Sequence, residues 1–132
     1  MKEISRDELK KFSLRRFLLT WKYSFEGLKY AYTQEQSMLT HLGITAMAVC
    51  MGFYFNISGV EWMFIITFLG FIVSTELINT AIEAAVDFTS IKIHPLAKIA
   101  KDCGSAATLM AVLTGISGAV IIFSPKIVEK LF

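Results

Sequence analysis

Glu76, Asn79, Glu83 and Asp87 follow one another at steps of three, four and four residues. At about 100° per residue on an α-helix, the four side chains fall within roughly 80° of one another, on one face. Three carboxylates stacked in this way repel each other, and close to a bilayer each is also costly to desolvate. A divalent cation, or a polyphosphate that carries one, relieves both. Mg²⁺ suits them chemically, because it is typically held by one or two carboxylates together with substrate phosphates. Glu76 directly follows an uncharged run from Trp62 to Thr75, which sets it near headgroup depth, where a carboxylate base can reach a lipid hydroxyl. Read without chemistry, the same face caps and solvates the end of a long helix, and Asp87 taken alone fits that reading.

The elements that must position this face are written in the hydropathy. The 132-residue chain is 55% hydrophobic and 18% charged, with mean hydropathy +0.57, more apolar than soluble domains, which run at about 45–50%. There is room for one domain. No acidic or basic residue occurs between Glu35 and Glu61, between Glu61 and Glu76, or between Asp102 and Lys126. In lipid each span must satisfy its own backbone hydrogen bonds, which at this length only helices do. The prediction is an all-α membrane protein with spans at about 36–57, 60–90 and 98–124, the last ending at Pro125, which cannot continue the helical ladder. Lys and Arg crowd between Lys2 and Lys29 and return at Lys92, Lys98 and Lys101, whereas residues 56–61 carry none. The positive-inside rule then places the N-terminus in the cytoplasm and the C-terminus outside, in a multi-pass protein of the cell membrane.

Before the first span, Leu14, Leu18, Trp21, Phe25, Leu28 and Tyr32 recur at helical spacing in one narrow arc, flanked by Lys11, Arg15, Lys22 and Lys29. This predicts an amphipathic surface helix over about 12–32, its apolar face among acyl chains and its basic rim near anionic headgroups. A solvated basic leader is the plainer reading, and it leaves Trp21 and Phe25 unexplained. A secretory leader is not expected, since the residues before Gln36 are too many and too polar for its charged region. Cys50 and Cys103 form neither a CxxC pair nor a zinc pattern and are expected to be reduced packing residues. Ala107, Ala111, Gly115 and Ala119 make a strip of small residues at every fourth position, expected to serve subunit or intramolecular packing. Trp62 stands where an aromatic belt residue belongs, and His41 is expected to pack or hydrogen-bond to a neighbour.

The run Glu76-Leu77-Ile78-Asn79-Thr80-Ala81-Ile82-Glu83-Ala84-Ala85-Val86-Asp87 resembles the signature of the prokaryotic diacylglycerol kinase and undecaprenol kinase family at each defined position. The resemblance continues at Ala100-Lys101-Asp102, at Gly104-Ser105-Ala106-Ala107, and earlier at Tyr23-Ser24, Gly27-Leu28 and Glu35. It covers roughly residues 14 to 123. What it implies is a homotrimer of three-span subunits with a surface helix and active sites shared between neighbours. ATP is the implied phosphate donor, Mg²⁺ the cofactor and a lipid alcohol in the bilayer the acceptor. Glu76 resembles the general base, and Glu83 and Glu35 resemble the ligands of ATP-bound Mg²⁺. Lys101 resembles the residue that contacts the transferring phosphates, while Asp102, Asn79, Asp87, Arg16 and Tyr23 resemble the rest of the nucleotide site. Lys92 and His94 lie on the family's nucleotide-facing loop, and Ser105 lies near its lipid. The stretch His94-Pro95-Leu96-Ala97-Lys98 resembles the undecaprenol kinase branch, with diacylglycerol the alternative acceptor.

The bare chemistry agrees. Phosphoryl transfer needs positioning and cancellation of phosphate charge, so a metal on two carboxylates plus a lysine is a sufficient site. Neither a GxxxxGK[ST] loop nor a protein-kinase Gly-rich loop occurs, which excludes those two kinase types. Nothing points to nucleic acid. A small ion or proton transporter also needs membrane carboxylates, but near the midplane, and here the charges gather at one end of the spans. An assembly factor anchored by its helices would not need the acidic face.

Overall fold

The computed structural model of the chain describes residues 13–89 and 94–132. Lys11 of the basic rim lies outside them. The described residues form four helices and no strand: α1 (Leu14–Gln34), α2 (Gln36–Tyr54), α3 (Gly59–Thr89) and α4 (Pro95–Leu131). The last three are each long and apolar enough to cross a membrane.

The chain turns at residues that release the helix for stated reasons. Glu35 alone separates α1 from α2; its φ of −102° and ψ of 117° are extended, and its N–H closes α1 on the Ala31 carbonyl at 2.9 Å. The α2 end is a Schellman closure, with Asn56 at φ 49° supplying the left-handed residue. Asn56 N–H donates to Phe53 O at 3.2 Å and Ile57 N–H to Gly52 O at 3.1 Å, satisfying carbonyls that the helix end would leave open. This stops α2 at Tyr54, three residues short of the expected boundary. Two residues later Ser58 and Glu61 form a reciprocal capping box: Ser58 N–H donates to Glu61 Oε2 at 2.6 Å, and Glu61 N–H to Ser58 Oγ at 3.3 Å. At the other connection the His94 ring caps α4, Nδ1 accepting from Leu96 N–H at 3.2 Å, and Pro95 occupies a first-turn position where no N–H is needed.

Helix α4 does not end at Pro125. It runs through the proline to Leu131, so the expectation of a stop there is corrected. Proline removes only one ladder bond, the one to the Ile121 carbonyl, and both Ile121 and Pro125 lie on the exposed side. The next turns are tied down from elsewhere. Lys126 Nζ pairs with a Glu61 carboxylate oxygen at 3.1 Å, Ile127 packs on the core, and Lys130 Nζ stands 3.8 Å above the Tyr54 ring. Tertiary contact therefore carries the helix past its local breaker.

Helices α3 and α4 form the principal pair, antiparallel, with Glu61 against Lys126 at one end and Asp87 against Lys101 at the other. Small residues let them approach. A Cβ at Gly118 would strike the Phe68 ring, and one at Gly115 would come within 3.0 Å of Ile72. The buried line on α4 is Gly104, Thr108, Ala111, Ile122 and Phe123, with Gly115, Gly118 and Ala119 half-buried between. Ala107 is exposed. Four-residue steps overshoot a 3.6-residue turn by about 40° each, so the expected strip starts off the packed line and joins it only from Ala111. The packing it serves within the chain is α4 on α3.

The interior has two characters. Toward the Glu61 end, Ile57, Ile65, Ile122 and Phe123 form an apolar core with Met51, Trp62, Leu69 and Ile127 around it. Trp62 is half-buried there, its ring centroid 5.0 Å from that of Phe53. Toward the other end the buried residues include His41, Glu76, Thr80 and Thr108. Cys50 and Cys103 are free, as expected, but exposed on the chain's outer faces, so they pack against nothing inside it.

Helix α1 leaves Leu14, Leu18, Trp21 and Phe25 exposed, while Leu28 and Tyr32 are half-buried and Ala31 is buried. The apolar arc thus faces outward at its start and turns onto the protein near its end. There Gly27, Leu28 and Ala31 face Leu77, Thr80, Ala81 and Ala84 of α3 across a shallow hollow.

Candidate active site

The polar face of α3 is a seam against two different helices. At its inner end Glu76 is only 5% exposed. Ser37, in the first turn of α2, donates its hydroxyl to Glu76 Oε1. One turn further along α2, His41 Nε2 lies 4.0 Å from the other carboxylate oxygen, Oε2, too far for a direct hydrogen bond. A carboxylate this deep requires such partners, since an unsatisfied buried charge is strongly disfavoured.

A turn beyond Glu76, Asn79 Nδ2 donates to Glu83 Oε1 at 3.0 Å. This fixes the amide so that Oδ1 points away from Glu83, against α4. There the chain has Gly104, and any Cβ at that position would collide with the oxygen. Asn79 Oδ1, Thr108 Oγ1 and His41 Nδ1 are all buried without a hydrogen-bond partner. Buried polar atoms are nearly always paired, so three orphans in one half of the molecule mark where a polar ligand, water or neighbouring subunit completes the site. At the outer end of the face, Asp87 Oδ1 receives Lys101 Nζ of α4 at 2.7 Å.

The expected residues divide accordingly. Glu76, Asn79, Glu83, Asp87 and Lys101 stand along one seam. Asp102 is instead held by Lys98, one turn back on the exposed side of α4, at 2.5 Å. Tyr23 and Ser105 are exposed and Arg16 is half-buried on the single chain. Glu35 is half-buried at the α1–α2 turn, one helical turn past buried Ala31. His94 caps α4 through its ring, and Lys92 lies outside the described residues. Ser37 was not singled out by sequence, and His41 was read as a packing or hydrogen-bonding residue. Their signal is a polar pair at i and i+4 in the first turns of an otherwise apolar span, which puts both on one face.

Among the described residues no three His, Cys, Asp or Glu side chains gather around one point. Glu83 offers a carboxylate oxygen and the unpartnered Asn79 Oδ1 a further hard donor beside it, a pair that suits a cation whose remaining ligands are phosphates, while Glu35 stands apart at the α1–α2 turn. His41 also lines a cavity of about 370 Å³ among α2, α3 and α4, walled by apolar residues including Met51, Ile65, Phe68, Ile72 and Ile116. The site therefore joins a charged seam to an apolar hollow.

Comparison with known proteins places the chain in a family. The family model described as prokaryotic diacylglycerol kinase matches residues 22–123. The chain is similar to the undecaprenol kinase of Bacillus subtilis strain 168, 36% identical over 115 residues, which span 86% of this chain and 93% of the relative. It is also similar to a diacylglycerol kinase of Helicobacter pylori, 38% identical over 91 residues, 69% of this chain and 71% of that protein. The diacylglycerol kinase of Escherichia coli K12 is 30% identical over 94 residues, 71% and 77% of the two chains.

Proposed function

Because the chain belongs to the prokaryotic diacylglycerol kinase family, a family of lipid kinases, we propose that it moves the γ-phosphate of ATP onto the hydroxyl of undecaprenol at the cytoplasmic membrane face. The observation that carries this reading is the buried Glu76 carboxylate on the polar seam of α3, 4.0 Å from His41, which itself lines the apolar cavity. A base in that position meets a hydroxyl whose hydrocarbon lies in lipid and a phosphate whose charge lies in the seam.

In this reading Glu76 accepts the hydroxyl proton as the oxygen attacks the γ-phosphorus, the bond to the bridging oxygen breaks, and ADP departs. Glu83 and Glu35 would hold Mg²⁺, with Asn79 beside Glu83. The cation, when bound, neutralises phosphate charge and orients the transferring group. Lys101 leaves or shares its pairing with Asp87 to meet the phosphates, and both groups are exposed enough for that exchange to be inexpensive. Arg16, Tyr23, Asp87, Lys92, His94 and Asp102 complete the nucleotide side, and Ser105 borders the lipid. The exposure of Tyr23, Asp102 and Ser105 on a single chain supports a homotrimer in which neighbours share each site. Basic residues on α1 and at the α3–α4 connection support a cytoplasmic N-terminus.

Undecaprenol is preferred over diacylglycerol because the Bacillus relative, an undecaprenol kinase by name, aligns along 86% of the chain. The test is ATP turnover by the purified protein in mixed micelles with each alcohol in turn. Higher kcat/KM on undecaprenol is expected; a clear preference for diacylglycerol reassigns the acceptor, and no turnover on either removes the kinase reading.

A further inference from the structure

Ser37 and His41 stand on one face of α2, a single turn apart, each addressing a different oxygen of Glu76. The two oxygens are thereby made unequal. Oε1 accepts from the Ser37 hydroxyl, which fixes the carboxylate plane, and Oε2 keeps its lone pairs free. An oxygen at ordinary hydrogen-bond distance from both Glu76 Oε2 and His41 Nε2, about 2.7–2.9 Å from each, fits the 4.0 Å gap between them. The angle at that oxygen is then about 90°, compatible with a hydroxyl that donates to one side and accepts from the other.

We propose that Ser37, His41 and Glu76 together form the acceptor-hydroxyl site. In it His41 Nε2–H binds the hydroxyl oxygen, and Ser37 is the positioning residue that leaves Glu76 Oε2 free to take the proton. The proposal rests on Glu76 as the base. Two further observations support it. His41 Nδ1 is buried with no partner; a proton there would be a buried donor without an acceptor, so the imidazole proton belongs on Nε2, facing the gap. His41 also lines the apolar cavity among α2, α3 and α4, so a hydrocarbon chain can lie against it while its hydroxyl reaches the gap. In the transfer the hydroxyl proton passes to Glu76 Oε2 and a bond forms between that oxygen and the γ-phosphorus. The bond from the γ-phosphorus to the bridging oxygen breaks, and ADP carries away its electron pair. His41 keeps its own proton throughout and orients the lone pair that attacks.

The test uses the full-length protein in micelles with undecaprenol and, as inhibitor, the corresponding hydrocarbon lacking the hydroxyl. In the unmodified protein the alcohol is expected to bind more tightly than the hydrocarbon. His41→Leu should lower kcat by about 10- to 100-fold, the range for loss of one hydrogen bond in a charged site. It should also reduce the preference for the alcohol by a similar factor while leaving the hydrocarbon inhibition constant and the KM for ATP unchanged. His41→Gln, which keeps an N–H near the Nε2 position, should retain the preference. Ser37→Ala should lower kcat about tenfold, and Ser37→Thr should restore it. Retention of the preference in His41→Leu overturns the inference, as does equal weakening of alcohol, hydrocarbon and ATP, which marks a structural role. If His41→Leu does not assemble, loss of the preference in a folded His41→Gln overturns it too. Glu76→Gln, run alongside, separates the two levels: if it stays active the base itself is misassigned, whereas an inactive Glu76→Gln beside an unaffected His41→Leu removes only the hydroxyl site.

Discussion

Glu76 is the one carboxylate of the α3 face that is sealed from solvent, and its burial decides what it can do. Replacing it by Gln keeps shape and the Ser37 contact while removing the proton acceptor. Turnover is expected to fall by about 10²–10⁴, the usual worth of a general base, with ATP affinity and assembly retained; single-turnover phosphate transfer and equilibrium ATP binding on the same sample measure this. Lys101 behaves differently, because its ion pair with Asp87 is partly exposed and such pairs contribute little to stability. Lys101→Met should therefore leave the thermal midpoint nearly unchanged yet raise the KM for ATP and lower kcat, and Asp87→Asn, which frees the lysine, should have the milder kinetic effect. A fall in thermal midpoint that accounts for the lost activity would make Lys101 a structural residue. The stacking of Glu76, Asn79, Glu83 and Asp87 was legible in the sequence because helical spacing alone dictates it. Ser37 was not, since its meaning depends on which α2 face meets α3, and that is a property of packing.

At the scale of the helices, the α3–α4 contact rests on side chains that are missing. Gly118→Leu drives a side chain into the Phe68 ring and should cost about 1–3 kcal/mol, as overpacked cores do. Ala107→Leu, on the exposed side, should be tolerated. Thermal unfolding of both variants in detergent checks the pair; equal effects would mean that α4 is rotated from its observed face. Helix α1 offers a second test, because Trp21 is exposed on the chain and lies outside all three spans. Trp21→Glu places a charge where acyl chains are expected, and should loosen α1 from the membrane and reduce turnover while the spans stay inserted. Spin-label accessibility along α1 reads this directly, and uniform exposure without helical period in the unmodified protein would make α1 a solvated leader. The existence and approximate bounds of all four helices were readable from hydropathy and spacing. The passage through Pro125 was not, because the residues that hold the last turns, Glu61 and Tyr54, are remote in sequence. The capping box at Ser58 and Glu61 is written in the sequence as an S-x-x-E pattern.

Across the whole molecule, chemistry and anchorage sit at opposite ends. One end carries the polar seam with its unpartnered atoms. The other carries the apolar core, the Glu61–Lys126 pair and the Lys130–Tyr54 contact, which bind three helices to one another at that end. That fixed far end makes α3 a ruler. Glu61 and Glu76 are about fifteen residues apart, or about 22 Å along a straight helix, whereas the hydrocarbon of a typical bilayer is about 30 Å thick. If Glu61 lies at the outer boundary of the hydrocarbon, Glu76 reaches the inner one only where the lipid thins around the protein, and tilt of α3 widens the difference. With Glu76 as the proposed base, turnover is then expected to depend on hydrophobic mismatch. Turnover in phosphatidylcholine vesicles of graded monounsaturated chain length should be highest in thin bilayers and decline as the chains lengthen, with ATP affinity unaffected. A rate indifferent to thickness would show that the far end slides, and that the Glu61–Lys126 tie sets the packing of the helices without setting their depth.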